Sequence, residues 1–296
     1  MRIFITGASG FIGQALCASL LAQGHQLTVL TRNAGRTTRL LGASVDIWET
    51  LDRWQADTSF DAVINLAGES IINWPWTTRR KQQLWESRVT LTRHLATRIS
   101  QAPNPPAVFL SGSAIGYYGD TGDRVVDETA AAGQDYAARL CAAWEEAALS
   151  AESPKTRVCL LRTGLVLHPA GGMLARMLLP FRLGLGGRIG KGTQWMSWIH
   201  RDDQVGIMLH LLATPEAQGV YNLTAPEPVP NGDLTLQLAT ALQRPARWTT
   251  PAWLLSLVLG ERASLLLAGQ RVSPKRILAS GYRFQYPALS GVMQSL

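Results

Sequence analysis

The chain has 296 residues, of which 46% are hydrophobic and 17% are charged. This composition excludes an intrinsically disordered protein, and the length is enough for one large or two modest domains with a hydrophobic core. The formal net charge is +7. Because the arginines are spread along the chain and form no basic block, we expect anionic small molecules as ligands and no nucleic-acid partner.

The cysteine and histidine residues indicate neither a disulfide framework nor a metal centre. Cys17, Cys141 and Cys159 lack CxxC spacing and lie in apolar segments, which is typical of reduced core thiols in a cytoplasmic protein. The five histidines lack zinc-ligand spacing. The most apolar run, Trp253 to Leu259, is far shorter than the roughly 20 residues that a bilayer requires. We therefore expect a monomer or homodimer with no signal peptide, membrane partner or metal.

The first predicted element is a strand that runs directly into a glycine turn. Met1 to Thr6 is mostly apolar, three glycines follow at spacings of three, and a helical run extends from Ile12 to about Gln23. Glycine lets the backbone approach a pyrophosphate, and the N–H groups at a helix start favour anionic oxygens. The turn therefore predicts dinucleotide binding. The predicted contacts here are Gly7, Ser9, Gly10, Phe11, Ile12 and Gly13.

The second strand predicts which dinucleotide is bound. Gln26 to Thr31 completes a βαβ unit of about 30 residues, which is the context that this glycine motif requires. NAD-binding sites usually place an acidic residue here, but this chain has Arg32, and a guanidinium suits a 2′-phosphate. We therefore predict NADP(H), with Thr31, Arg32 and Asn33 as contacts. Arg36 and Arg39 fit either the same role or a solvated helix face.

The next two strands predict the remainder of the cofactor site. Asp61 to Ala67 is a buried strand, and its end contributes four further predicted contacts, Leu66, Ala67, Gly68 and Glu69. A single long helix is predicted over Arg79 to Ser100, followed by a strand from Ala107 to Leu110. The strand leads into Ser111-Gly112-Ser113. Hydroxyls at the carboxyl end of a parallel strand lie beside the nicotinamide in such folds. Alternatively, Ser111 and Ser113 only cap a turn.

The later segments alternate between helices, strands and glycine-rich stretches. We predict helices over Gln134–Ser150, Met173–Leu183 and Gln204–Ala213, strands over Arg157–Leu161 and Val220–Leu223, a flexible loop over Gly186–Gly192, a linker over Pro226–Pro230 and a mostly helical remainder from Gly232. The predicted fold is α/β. It is a Rossmann-type, doubly wound parallel sheet formed by residues 1–167 plus 197–225. A smaller, mostly helical substrate lobe is formed by residues 168–196 plus 226–296.

Five motifs, in order, resemble the extended short-chain dehydrogenase/reductase superfamily of NAD(P)-dependent epimerases and dehydratases. These are TGASGFIG (6–13), NLAG (65–68), LSGSAIGYYG (110–119), Arg162-x-Gly164 and WIHRDD (198–203). More narrowly, the whole chain resembles the bacterial branch called epimerase family proteins. The features that carry this likeness are a Trp-rich segment before SRVT (87–90), Cys141-x-x-Trp144-Glu145 and the tail GQRVSPKRILASGYRFQYP (269–287). The resemblance implies an NAD(P)-dependent oxidoreductase or epimerase acting on a small polar substrate such as a nucleotide sugar.

The chain departs from this family at the expected catalytic pair. Enzymes of the family use a tyrosine with a lysine four residues later, and the lysine lowers the pKa of the tyrosine. Tyr136 is followed at that spacing by Leu140. An alignment on Glu145 instead places the pair at Ala137 and Cys141.

Two hypotheses follow from the incomplete pair. In the first, the protein is an enzyme in which Ser113 orients the substrate, Tyr117, Tyr118 or Tyr136 supplies the proton, and Arg88 or Arg139 is the nearby cation. Arg88 stands where the family has an asparagine. In the second, the protein binds or senses NADP(H) and has lost redox chemistry.

Overall fold

The computed structural model describes residues 1–296 and consists of a large parallel sheet, its covering helices and a second lobe. The fifteen strands are Arg2–Thr6 (β1), Gln26–Leu30 (β2), Asp46–Trp48 (β3), Ala62–Asn65 (β4), Val108–Ala114 (β5), Val125–Val126 (β6), Arg157–Thr163 (β7), Leu165–His168 (β8), Gly187–Ile189 (β9), Trp195–Met196 (β10), Trp198–His200 (β11), Gly219–Leu223 (β12), Val229–Pro230 (β13), Trp248–Thr250 (β14) and Arg271–Val272 (β15). The twelve α-helices are Phe11–Ala22 (α1), Ala34–Leu41 (α2), Thr78–Trp85 (α3), Leu91–Gln101 (α4), Tyr136–Leu149 (α5), Gly172–Arg182 (α6), Arg201–Ala213 (α7), Asn231–Ala241 (α8), Ala252–Leu259 (α9), Ser264–Leu267 (α10), Lys275–Ala279 (α11) and Leu289–Met293 (α12).

Seven strands form one sheet in the order β12-β7-β5-β4-β1-β2-β3, and every neighbouring pair is parallel. Side chains alternate between its two faces. On β1, Ile3 and Ile5 join the core that includes α1 and α7, whereas Phe4 joins the core that includes α4 and α5. Burial on both faces explains why the strand sequences are almost continuously apolar. The predicted doubly wound parallel sheet is confirmed.

The second lobe has its own hydrophobic core of 13 buried residues, contributed mainly by α6, α8 and α12. Trp198, on the short strand β11, is fully buried in this cluster. The lobe also contacts the segment that follows β4. Lys81 and Glu261 form an ion pair at 2.6 Å, and the Arg262 Nη1 donates to the Ile72 carbonyl at 2.9 Å. None of the helices combines the length and apolar character needed to cross a membrane.

Three predicted elements differ from the structure. The helix expected over Arg79–Ser100 is present as a continuous helical run from Thr78 to Gln101, but a π-helical turn at Glu86–Thr90 divides it into α3 and α4. The loop expected over Gly186–Gly192 contains β9, which pairs with β14. The linker expected over Pro226–Pro230 contains β13, which pairs with β10. These two small pairings use short, distant segments, which carry little periodic signal.

Candidate functional site

In the turn between β1 and α1, glycines lie so close to neighbouring backbone atoms that a side chain would not fit. Gly7 has φ of +73°, and a Cβ there would lie 2.5 Å from the carbonyl carbon of Leu66. A Cβ on Gly13 would lie 2.3 Å from the Gly7 oxygen. Gly10 is the N-cap of α1, and the first turn of α1 contains no acidic residue. The first-turn N–H groups, those of Phe11, Ile12 and Gly13, are therefore available to an anion.

The flanking residues of this turn fix it in place. The Gln14 side-chain amide donates to the Ser9 carbonyl at 2.9 Å. A Cβ on Gly171 would lie 2.3 Å from the Phe11 ring, so only glycine fits at this approach of the second lobe. Arg201 lies over the same ring, with its Cζ 5.5 Å from the centroid. Phe11 thus connects the glycine turn with the second lobe.

The segment that follows β2 places a guanidinium beside the glycine turn and the end of β4. Asn33 caps α2 by accepting from the Arg36 N–H at 2.9 Å, and Thr31 Oγ1 accepts from the Asn33 N–H at 3.2 Å. This local structure holds Arg32 in an exposed position, with 88% of its side chain accessible. Its Nη1 lies 2.8 Å from Glu69 Oε1. Two predicted cofactor contacts, Arg32 and Glu69, are therefore direct neighbours.

Glu69 is held by three arginines. The hydrogen bond from Arg32 is the main reason that the pKa of the Glu69 carboxyl lies below its ordinary value. Arg80 Nη1 approaches the other carboxylate oxygen at 3.4 Å, and Arg88 Nη2 donates to the Glu69 carbonyl at 2.8 Å. Because two arginines contact the carboxylate and a third contacts the backbone carbonyl of the same residue, this corner of the cleft is net positive. Arg80 was not predicted as part of the site, although its place in an arginine-rich helix was a usable signal.

The end of β4 rests on a buried polar chain that joins four elements. Thr6 Oγ1 donates to Asn65 Oδ1 at 2.6 Å, and Asn65 Nδ2 donates to Thr92 Oγ1 at 2.7 Å. Trp144 Nε1 donates to the same threonine at 2.9 Å. These bonds fix the position of the Leu66–Gly68 turn, where a Cβ at Gly68 would lie 3.1 Å from the Arg88 guanidinium. Arg88 therefore lies directly beneath the predicted cofactor turn Leu66, Ala67 and Gly68.

At the end of β5, Ser113 is hydrogen-bonded to a buried ion pair that Glu145 and Arg162 form. Its hydroxyl donates to Glu145 Oε1 at 2.6 Å. Arg162 donates to both carboxylate oxygens of Glu145, through Nε and Nη2, each at 2.8 Å. Burial alone lowers the pKa of Arg162, but the hydrogen bonds and charge of Glu145 raise it above its ordinary value. Sequence reasoning did not predict this pair. Charge alone did not single out the two partners, because α5 and β7 also carry other charged residues, namely Arg139, Glu146 and Arg157.

The three tyrosines considered as proton donors have different surroundings. The Tyr136 hydroxyl donates to the Lys81 carbonyl at 3.0 Å, and its ring packs against Trp76. The Tyr118 hydroxyl donates to Asn222 at 2.7 Å and is buried. The Tyr117 hydroxyl has no hydrogen-bond partner in the protein, and the Arg162 guanidinium lies 3.4 Å from the centroid of its ring. Tyr117 is therefore the one whose hydroxyl is not already bonded within the protein.

Ala137, Cys141 and Glu145 lie on one face of α5. Glu145, bonded to Ser113, is on α5 at helical spacings of four from Cys141 and eight from Ala137, so the three share one helix face. A Cβ at Gly116 would lie 3.7 Å from that of Ala137. The alignment on Glu145 thus places the expected pair at Ala137 and Cys141, on the same face of α5 as the carboxylate bonded to Ser113. Burial raises the pKa of the Cys141 thiol to about 12.

The parallel sheet, the glycine turn at the start of α1 and the arginine after β2 define a nucleotide-binding protein of the short-chain dehydrogenase/reductase class. The chain belongs to the NAD dependent epimerase/dehydratase family, whose model matches residues 3–224. A second model, described as a domain of unknown function (DUF1731), matches residues 250–296. The predicted family is thereby confirmed.

Similar proteins occur in bacteria, plants and animals. The epimerase family protein SDR39U1 of Homo sapiens is 38% identical over 304 residues, which cover 100% of this chain and 99% of the relative. The epimerase family protein Mb2239 of Mycobacterium bovis is 40% identical over 285 residues, which cover 96% and 93%. The crystal structure of human SDR39U1 (isoform2) with NADPH has a TM-score of 0.91 and 36% identity, covering 100% of this chain and 98% of that one.

Proposed function

We propose that this protein binds NADP(H) between the β1–α1 turn and Arg32 and uses it to reduce or oxidise a small polar substrate. The observation that carries the cofactor proposal is Arg32, an exposed guanidinium where an NAD-specific site would have an acid. The Glu69 carboxylate would by itself repel a 2′-phosphate. If Arg32 turns from Glu69 to the phosphate, however, Arg80 and Arg88 still contact Glu69. The human relative whose crystal structure contains NADPH supports the same cofactor.

The substrate would bind between the sheet and the second lobe, which we propose consists of residues 168–196 plus 226–296. NADPH bound in the cleft would supply the hydride. We propose Tyr117 as the group that gives a proton to the substrate oxygen. Its hydroxyl is not bonded within the protein, and the Arg162 guanidinium lies 3.4 Å from the centroid of its ring. Ser113 acts as a positioning residue, because its only proton is directed to Glu145.

A second candidate function is cofactor binding without redox chemistry. Ala137 and Cys141 favour it, because neither residue can replace the tyrosine and lysine that stand at these positions in the resemblance. In that case occupancy by NADP(H) would alter a contact of the second lobe with another molecule. The two candidates make the same prediction for cofactor binding and different predictions for hydride transfer.

Calorimetric titration tests the cofactor proposal. NADPH should bind the wild-type protein, and Arg32→Gln should weaken it by about 10- to 150-fold, which corresponds to losing a charge-assisted hydrogen bond of roughly 1.5–3 kcal/mol. NADH, which lacks the 2′-phosphate, should change less than threefold. Arg283→Gln, at an exposed arginine in the C-terminal segment, is the matched control. Equal loss for both nucleotides would contradict a role of Arg32 at the 2′-phosphate.

Deuteride transfer tests the chemistry. NADPH carrying deuterium at C4 is incubated with a library of carbonyl compounds and sugar nucleotides, and products are followed by mass spectrometry. If the protein is an oxidoreductase, deuterium appears in a product, and Tyr117→Phe lowers kcat without changing the Kd of NADPH. If NADPH binds and no library member accepts deuterium, the binding function is favoured over the enzymatic one.

A further inference from the structure

A second concave site lies in the second lobe, apart from the residues that form the cofactor cleft. Its volume is about 630 Å³. It is lined by α8, by the segment from Gln243 to Thr249 and by Arg188 of β9. β9 and β14 pair in parallel, with Thr249 opposite Arg188. This pairing holds the part of the cavity wall that contains Trp248 next to β9, the strand that contains Arg188.

The charge of this cavity is entirely positive. Three arginines line it, Arg188, Arg244 and Arg247, and no aspartate or glutamate does. All three are exposed and none takes part in a salt bridge within the protein. Arg188 Nε donates only to Thr249 Oγ1, at 3.1 Å. Three like charges around one concavity repel each other, and an anion placed among them would relieve that repulsion.

The backbone at the end of α8 directs the chain into this wall. Gln243 is the only non-glycine residue with a positive φ, at +52°. Its N–H donates to the Thr240 carbonyl, and the Arg244 N–H donates to the Ala239 carbonyl at 3.0 Å. This is the left-handed helix ending that glycine normally provides. It turns the chain sharply, so that Arg244 and Arg247 line the same cavity as the helix they follow.

Two further groups complement the arginines. Trp248 is 62% exposed on the cavity wall, which is a large accessible area for an aromatic side chain. Thr235 of α8 also lines the cavity, and its buried hydroxyl has no hydrogen-bond partner. Guanidinium groups bind phosphate oxygens, and an indole ring stacks on a planar ring.

We propose that this cavity binds a phosphorylated small molecule that carries a planar ring. The phosphate group binds among Arg188, Arg244 and Arg247, and the ring stacks on Trp248. This site is separate from the dinucleotide site and does not depend on whether the protein transfers hydride. Its ligand chemistry, a phosphate next to an aromatic base, is that of a nucleotide.

Calorimetry on the full chain tests this site with adenosine 5′-monophosphate as the probe. The protein is first loaded with one equivalent of NADPH, so that the β1–α1 turn is occupied and no free NADPH competes for the second site. The monophosphate should bind the wild-type protein, and the double variant Arg244→Glu with Arg247→Glu should weaken binding at least tenfold. Arg283→Glu, the control at an exposed arginine elsewhere, should change it less than twofold. Circular dichroism confirms that the double variant is folded, which we expect because both side chains are exposed.

A second comparison tests the ring. Ribose 5-phosphate carries the phosphate without the base, so Trp248→Ala should weaken adenosine 5′-monophosphate at least fivefold and leave ribose 5-phosphate unchanged. The proposal is overturned if no monophosphate binds at millimolar concentration. It is also overturned if the double arginine variant binds as tightly as the wild type, or if Trp248→Ala leaves the monophosphate unaffected.

Discussion

Breaking the buried ion pair between Glu145 and Arg162 should destabilise the protein strongly. Both side chains are almost inaccessible, at 7% and 3%, and two hydrogen bonds of 2.8 Å join them. Glu145→Gln keeps the shape of the side chain but removes its charge, so that the Arg162 guanidinium stays buried without a counter-ion. Losing one partner of a buried pair costs about 3–5 kcal/mol. At about 2–4 °C per kcal/mol, the melting temperature should fall by roughly 6–20 °C.

The assay is differential scanning calorimetry at pH 7, with a matched control from the same helix. Glu146 is the next residue and is exposed, so Glu146→Gln should shift the melting temperature by less than 2 °C. A double variant that replaces both partners by apolar residues, Glu145→Leu with Arg162→Met, should recover most of the loss, because no charge is then buried alone. The reasoning is refuted if Glu145→Gln melts within 2 °C of the Glu146 control, or if the double variant is less stable than Glu145→Gln.

Three further experiments test the region around Arg32 and Glu69, the glycine turn and the hydrophobic core. Gly7→Ala should abolish NADPH binding and lower the melting temperature, because φ is +73° and the added Cβ would lie 2.5 Å from Leu66 backbone; calorimetry measures both. Glu69 has a pKa below the ordinary 4.5, so the stability it gains from Arg32 is present above that pH and is lost as pH falls through its lowered pKa. Arg32→Gln should accordingly melt below wild type at pH 7 by no more than a few degrees, and the difference should shrink as the pH falls below 4.5; a difference that stays constant or grows as the pH falls would contradict this. Burial raises the pKa of all three thiols to about 11 or 12, so a thiol reagent at pH 8 should label none of them until the protein is unfolded.

The fold was largely predictable because its signals are local. The glycine turn, the apolar strands and the helix starts each follow from residues adjacent in sequence, and the structure places them in one parallel sheet. The π-helical turn at Glu86–Thr90 was not predictable in this way. It lies where Ser87 accepts from the Glu69 N–H at 3.1 Å and donates to the Leu84 carbonyl at 3.0 Å. The first of these contacts comes from a distant segment, so helical periodicity carries no sign of it.

The site was predictable only where a single segment determines it. Arg32 follows from its position at the end of one strand. Its partner Glu69 follows from the end of another, but their 2.8 Å contact depends on how β2 and β4 flank β1. The same limit applies to Ser113. Its identity and position suggested a free hydroxyl, whereas its actual partner, Glu145, is 32 residues later on α5.

The buried pair between Glu145 and Arg162 also supplies the polar contacts on the face of α5 that carries Ala137 and Cys141. Ala137 and Cys141 are small and apolar, and burial keeps the Cys141 thiol protonated. The polar group on this face of α5 is the Glu145 carboxylate, which accepts hydrogen bonds from both Arg162 and Ser113. Because Arg162 also lies against Tyr117, the same pair that stabilises the fold positions the guanidinium over the Tyr117 ring. The ion pair that stabilises the fold therefore also fixes the guanidinium against which the Tyr117 ring packs.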